Sequence, residues 1–243
     1  MSSHIHHSSR GARDFGHHYQ LQLADTEPLR QRVYELRCRV FCSELGYAMK
    51  QQEGREADAY DSHSLHTLLT HPQSGSDVGC IRLVLPLARG GALPFEGFGL
   101  QHVDRQLLDW SKLDPTHCCE VSRLAVAPDF RQRLAQAGNN TDAPVIALSL
   151  YHAVIAQILE LGYQWIFMVV EPRFSRHLQR YGIQLQQISP AFEYYGSRAA
   201  FVTTRAQLLS EVAHWRAGWR GLFDEVHEQL YGRTLIAPQR EIA

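Results

Sequence analysis

Arginines and carboxylates recur in this sequence inside segments that are otherwise apolar. Arg37 stands in ELRCRVFCSELGY, Glu56, Asp58 and Asp61 in READAYD, Arg82 in GCIRLVLP, and Glu120 with Arg123 in EVSRLAV. Buried charges must be paired or hydrogen-bonded. Arg37, Arg82 and Arg123 with Asp58, Asp61 and Glu120 are therefore either an internal scaffold or a site. As a site, a carboxylate such as Glu120 can accept a proton, and a guanidinium can grip a carboxylate through two parallel hydrogen bonds. Taken alone, a strand-borne Glu near an Arg is usually a structural ion pair.

Other chemistries fit less well. HCCE sets His117 beside Cys118 and Cys119, but neighbours on a strand point to opposite faces, which suits a nucleophile and its base poorly. Cys38 and Cys42 have no second ligand pair at zinc-site spacing, so no metal centre is expected. The five cysteines, odd in number and without framework spacing, fit a reducing compartment. Lys50 and Lys112 are the only lysines among 24 basic residues, which leaves few candidates for a Schiff base.

The elements that position the charges can be read from periodicity. YQLQLA alternates as a strand, and DTEPLRQRVYELRCRVFCSEL reads as a helix with Leu29, Val33, Leu36, Val40 and Phe41 on one stripe. Arg37 flanks that stripe, whereas Arg39 points to water. Residues 47–61 read as a loop. SLHTLLTHP and DVGCIRLVLPL form an antiparallel pair turned at Ser74-Gly75-Ser76. A short helix is expected around His102 to Trp110. In the strand CCEVSRLAVAP, alternation predicts Glu120, Ser122 and Leu124 on one face and Val121, Arg123 and Ala125 on the other. DFRQRLAQAGNNTDAP reads as a polar loop before a helix from Pro144 to Leu161, capped by Asn140, Thr141 or Asp142. YQWIFMVVEP is a buried strand, RFSRHLQRYG a helix, and AAFVTT a last strand. After Thr204, the spacing of Leu208, Val212, Trp215, Trp219, Leu222, Val226 and Leu230 makes one amphipathic helix, interrupted by Gly218 and Gly221.

This order predicts an α/β (α+β) fold, a mixed central sheet flanked by helices, with a C-terminal helical extension. Residues 1–18 read as a disordered His-rich tail, 19–205 as one domain and 206–243 as the extension. With 243 residues and a net charge of −1, the chain can bury a full core and has no nucleic-acid footprint. No apolar run reaches the roughly 20 residues of a membrane span, so no integral membrane segment and a cytoplasmic location are expected. The long last helix makes a homodimer possible.

LRCRVFCSELGY, GREADAYD, GCIRLVLP and EVSRLAV, in that order, resemble the acyl-homoserine-lactone synthases and related N-acyl amino acid synthases, branches of the GNAT acyltransferase fold. The stretch from Val33 to Tyr47 resembles the PEP-CTERM/exosortase-associated acyltransferases in particular. The resemblance runs from about Tyr19 to Thr204.

It implies transfer of a fatty acyl group from a thioester to the amine of a small acceptor. Glu120 is then the base, with Arg123 beside it. Arg37, Phe41, Tyr47, Asp58, Asp61, Arg82 and Ser122 fall on the acceptor side, although Arg37 with Asp61 is equally readable as structural. The oxyanion is expected to meet a backbone N–H between Leu124 and Val126. Tyr47 replaces the tryptophan usual in the lactone synthases and so favours an amino acid over a homoserine-lactone product. Where coenzyme A users carry R-x-x-G-x-G/A, this chain reads RLAQAGNNTDAP, with Arg133 and Gly138. That departure resembles enzymes fed by acyl carrier protein, which Arg131, Arg133, Arg173, Arg176 and Arg180 can meet. Acyl-ACP or acyl-CoA is thus implied as co-substrate, with no tightly bound cofactor. The alternatives are a homoserine-lactone synthase and a non-catalytic module that binds an acyl group or its carrier.

Overall fold

The computed structural model describes residues 15–87, 92–136 and 142–235. Its main sheet contains β1 (Gln20–Leu23), β4 (Ser64–His71), β5 (Ser76–Val84), β6 (Cys118–Val126), β7 (Trp165–Val170), β10 (Ser197–Thr204) and β8 (Gln186–Gln187), side by side in that order. β9 (Phe192–Glu193) pairs with the start of β10, and β2 (Gln51–Gln52) with β3 (Arg55–Glu56) makes a separate hairpin. Every pairing in the main sheet is antiparallel except β6 with β7.

The helices are α1 (Phe15–His18), α2 (Glu27–Arg37), α3 (Pro94–Phe98), α4 (Pro128–Gln136), α5 (Asp142–Leu161), α6 (Pro172–Gln179), α7 (Arg205–His214) and α8 (Ala217–Tyr231). Cross-strand partners identify which helix covers which face of the sheet. Thr67 pairs with Ile81, and Gln157 of α5 donates to the Thr67 hydroxyl at 2.6 Å. The neighbouring pair, His66 with Arg82, points the other way, toward α2. Gly79, on the α5 face, has no side chain because a Cβ there would stand 2.8 Å from Leu150 Cδ1 and 2.9 Å from the Ala125 carbonyl.

Two irregularities in β6 shape the molecule. Gly79 pairs with Val126 and Cys80 with Ala125, but Arg82 pairs with Ser122, so Arg123 and Leu124 together oppose Ile81. That is a β-bulge, and Arg123 takes the left-handed conformation it requires, with φ 54°. Further, β6 and β7 pair only from Cys118–Trp165 to Glu120–Phe167. Beyond that point the two strands separate and leave a fork in the middle of the sheet.

The expected strands, the α2 helix and the helix ending at Leu161 are present, and the helix expected over RFSRHLQRYG is Pro172–Gln179. Several expectations need correction. Phe15–His18 fold as one helical turn with Phe15 buried, so order begins ahead of Tyr19. Residues 47–61 contain the β2–β3 hairpin and a 3₁₀ turn at Ala59–His63. The helix between β5 and β6 is α3, not His102 to Trp110, where there are only short 3₁₀ turns. Pro128–Gln136 is helical because the proline opens it and Phe130 anchors it in the core. Asn140, Thr141 and Gly138 lie outside the described residues, and α5 is described from Asp142. The last helix is broken at Trp215 and Arg216 and not at Gly218 or Gly221, which lie inside α8.

Leu222, Phe223 and Val226 of α8 join the same core as Phe15, Leu21 and Val154, so the extension covers its own domain. Among the described residues, no helix is long and apolar enough to cross a membrane.

Candidate active site

The fork opens into a cavity of about 900 Å³. Because side chains alternate along β6 and β7, the cavity passes through the sheet. Arg82, Glu120, Ser122 and Val169 line its α2 side, and Val121, Met168 and Tyr151 its α5 side.

On the α2 side the charges form one connected network. Arg37 Nε donates to Glu56 Oε2 at 2.5 Å, and its Nη1 and Nη2 donate to the two oxygens of Asp61 at 2.7 and 3.1 Å. Arg82 Nη1 donates to Asp58 Oδ1 and Asp61 Oδ1, both at 2.7 Å, while its Nε donates to Ser122 Oγ at 3.0 Å. Arg123 Nη2 reaches Glu56 Oε1 at 3.0 Å and Asp58 Oδ2 at 2.9 Å. Three guanidinium groups thus balance three carboxylates.

Burial works to raise the pKa of Asp61, but hydrogen bonds and charge from Arg37, with the charge of Arg82, overcome it and hold the carboxyl well below the usual range. Asp58 is lowered in the same contest, chiefly by Arg82. Asp61 also joins Asp58 in a capping box that fixes the 3₁₀ turn, so local chain geometry presets the carboxylates.

Glu120 stands apart from this network. It is 2% exposed, and among the described residues its Oε2 accepts only from the backbone N–H of Phe95, at 2.7 Å. Burial without a cationic partner in contact pushes its pKa up to about 8. A carboxyl poised near neutrality, facing a cavity, is suited to proton transfer.

The alternation expected for β6 fails at the bulge. Arg123 turns toward Asp58 and Glu56, on the face of Glu120, and the one-residue slip moves Ala125 onto that face, opposite Cys80. Leu124, expected beside Glu120 and Ser122, is carried to the α5 face.

The site residues expected from sequence separate into three groups. Glu120, Arg123, Arg82, Ser122, Asp58, Phe41, Tyr47 and Leu124 all line the cavity. Arg37 and Asp61 are buried outside the cavity lining, Arg37 with no exposed surface, where they hold Glu56, Asp58 and Arg82 in place. Val126, Arg131 and Arg133 are elsewhere. Arg131 pairs with Glu44, and Arg133 pairs with Asp129 and covers the Phe130 ring. Arg173, Arg176 and Arg180 do reach the cavity, at the start and end of α6.

Sequence reasoning left Glu56 out of the cluster, although it is 1% exposed and bridges Arg37 to Arg123. It stands two residues before Asp58 in the same quoted block, the one signal that pointed to it. Tyr151 was also missed. It is 5% exposed, lines the cavity from α5, and its hydroxyl makes no hydrogen bond among the described residues.

A thiol mechanism does not fit. Cys118 and Cys119 are fully buried, and burial pushes the Cys118 thiol up to about 12 and that of Cys119 well above its ordinary value. Among the described residues no cluster of ligating side chains could hold a metal ion.

Residues 36–138 match the acetyltransferase (GNAT) domain family. The chain has a GNAT-like fold. An acyl-homoserine-lactone synthase of Agrobacterium fabrum (strain C58 / ATCC 33970) is 28% identical over 159 residues, 65% of this chain and 70% of the relative. Among solved structures, FeeM, an N-acyl amino acid synthase from uncultured soil microbes, superposes with a TM-score of 0.58 at 15% identity. That match covers 79% of this chain and 94% of FeeM. The CoA-dependent acyl-homoserine lactone synthase BjaI superposes with a TM-score of 0.60 at 17% identity, over 86% of this chain and 89% of its own. The matched domain spans β5 and β6, so the strands bearing Arg82, Glu120 and Arg123 lie within it.

Proposed function

We propose that this acyltransferase moves a fatty acyl group from a carrier-protein or coenzyme A thioester to the amine of an amino acid. The observation that carries the reading is Glu120, a buried carboxyl held near neutrality at the fork, beside an arginine with a free donor. Arg82 is 1% exposed and lines the cavity, yet its Nη2 has no partner among the described residues. An acceptor carboxylate would satisfy that nitrogen, and the balanced charge of the network suits a ligand that enters as a zwitterion.

The chemistry follows from position. Glu120 takes a proton from the acceptor ammonium, and the freed amine attacks the thioester carbonyl. The backbone N–H of Leu124 supports the oxyanion, since Leu124 has no ladder partner on β5 or β7. The C–S bond then breaks, the attacking nitrogen gives up its second proton to the departing sulfur, and an amide and a free thiol on the carrier result. Arg176 and Arg180 at the cavity rim, with Arg173, offer positive charge to a phosphate-bearing or acidic donor. Such donors are cytoplasmic, which is where the enzyme would act.

A homoserine-lactone product is the second reading, favoured by the Agrobacterium relative. Against it stands Tyr47, whose hydroxyl accepts from Arg198 Nη2 at 3.0 Å, a bond that an indole, being a donor only, cannot make. Mass spectrometry of lipid extracts separates the two. A host making this protein should accumulate an N-acylated amino acid that disappears with Glu120→Ala. An acylated lactone in its place would select the second reading, and no new species in either host would sink both.

A further inference from the structure

Five aromatic rings that line the cavity join in an unbroken row across its α2 side. Phe98 stacks on Tyr194 with ring centroids 3.7 Å apart. Tyr194 meets Tyr195 at 4.9 Å, Tyr195 meets Tyr47 at 5.2 Å, and Tyr47 lies parallel to Phe41 at 6.5 Å. The rings come from three segments distant in sequence. Phe98 ends α3, Tyr194 and Tyr195 form the tip of the β9–β10 hairpin, and Phe41 and Tyr47 belong to the π-helical turn Cys38–Glu44 and the loop after it.

The hairpin tip is strained. Tyr195 holds φ at 50°, a left-handed conformation uncommon for a residue with a side chain, and Gly196 follows at 94°. Tyr194 N–H to the Gly196 carbonyl and Gly196 N–H to Glu193 Oε1, both 2.9 Å, keep the turn in that shape. Strain of this kind is retained where the surrounding structure requires it and gathers at ligand clamps. Here it aims two tyrosines into the cavity. Tyr194 sits within electrostatic reach of Arg123, Glu120 and Asp58. At the arch itself the segments meet through rings and two hydrogen bonds, a long one from the Tyr195 hydroxyl to the Ala48 carbonyl at 3.5 Å and one from Arg198 Nη2 to the Tyr47 hydroxyl at 3.0 Å. No strand ladder joins them there, so they can separate without breaking the sheet.

We propose that this aromatic arch is a lid over the acceptor half of the cavity, and that Tyr194 and Tyr195 set the size of the amine admitted. The proposal rests on the reading of the Glu120 side as the acceptor side. Opening the arch exposes Glu120 to an entering amine; closing it shields the proton transfer from water. Removing a ring from the middle should loosen both ends together.

The test compares wild type with Tyr194→Ala, which breaks the row, Tyr194→Phe, which keeps it, and Tyr195→Gly, which relieves the strained φ. Hydrogen exchange is measured at residues 94–98 and 194–196, and acceptor KM across amino acids graded by size with one acyl thioester. In Tyr194→Ala, exchange should quicken at both segments, acceptor KM should rise by about threefold to tenfold, and bulky amines should gain on small ones. Tyr195→Gly should share the changed ranking, and Tyr194→Phe should behave as wild type. Unchanged exchange at 94–98 in Tyr194→Ala, or an unchanged ranking of acceptors in both variants, would overturn the lid. A wild type that acylates no amine would overturn the acceptor reading instead, and exchange alone would then decide whether the arch is a lid.

Discussion

Replacing Glu120 with glutamine should make this enzyme more stable in alkali while nearly abolishing its activity. The carboxyl ionises near pH 4.5 in an unfolded chain and near 8 in the fold, because burial leaves its anion without a cation in contact. A group whose folded pKa is raised contributes stability that is fully present below pH 4.5 and lost as pH rises through 8. One pKa unit is worth about 1.4 kcal/mol, so the ionised carboxyl should cost the wild type on the order of 4 kcal/mol at pH 8. Glutamine keeps the shape and the acceptor for Phe95 N–H but cannot ionise. At about 2–4 °C per kcal/mol for a chain of this size, the variant should melt roughly 10 °C above wild type at pH 8. Near pH 4.5 the gap should close. Thermal melts followed by circular dichroism from pH 4.5 to 9 measure this directly. In a thiol-release assay with an acyl thioester and an amino acid, wild-type kcat/KM should climb with an apparent pKa near 8. The variant should lose about 10²- to 10⁴-fold of the rate. A melting difference that stays constant across the pH range would refute the desolvation argument, whatever happens to the activity.

Two more outcomes follow from the buried charges. Arg37→Ala leaves Glu56 and Asp61 facing each other without their shared cation, and a buried pair broken on one side typically loses about 3–5 kcal/mol. Urea denaturation should show that loss, and a variant as stable as wild type would put Arg37 outside the scaffold. His152 is buried with both ring nitrogens unpartnered among the described residues, stacked on Trp215, and burial pushes its pKa down to about 3. The unfolded chain therefore binds a proton that the fold excludes, and stability should fall as pH drops below 6.5. His152→Leu should recover about 2 kcal/mol of that loss at pH 5, read as a flatter melting profile between pH 7 and 5.

Periodicity was enough to find the sheet because its strands are read locally. SLHTLLTH, WIFMVV and RAAFVTT each carry their own β-branched and aromatic run, and tertiary packing did not override it. The charge cluster was legible for a different reason: arginine inside an apolar run has no inexpensive place but a paired one, so Arg37 and Arg82 imply partners from sequence alone. What could not be read were features in which one element answers to another. The bulge at Arg123 exists only as a mismatch with Ile81, and nothing in EVSRLAV marks the residue that will leave the alternation. Glu56 is polar in a polar stretch, and its burial follows from being clamped between guanidinium groups that arrive from α2 and β6. Propensity alone makes breaks of the two glycines of α8, yet packing of Leu222, Phe223 and Val226 on the core outweighs about 1 kcal/mol at each. The arch is the extreme case. Phe41, Tyr47, Phe98, Tyr194 and Tyr195 are ordinary aromatic residues one by one, and they become a row only once three distant segments meet over Glu120. A charge in an apolar run therefore points to a site from sequence alone, whereas the boundary of that site is built by contacts that no single segment encodes.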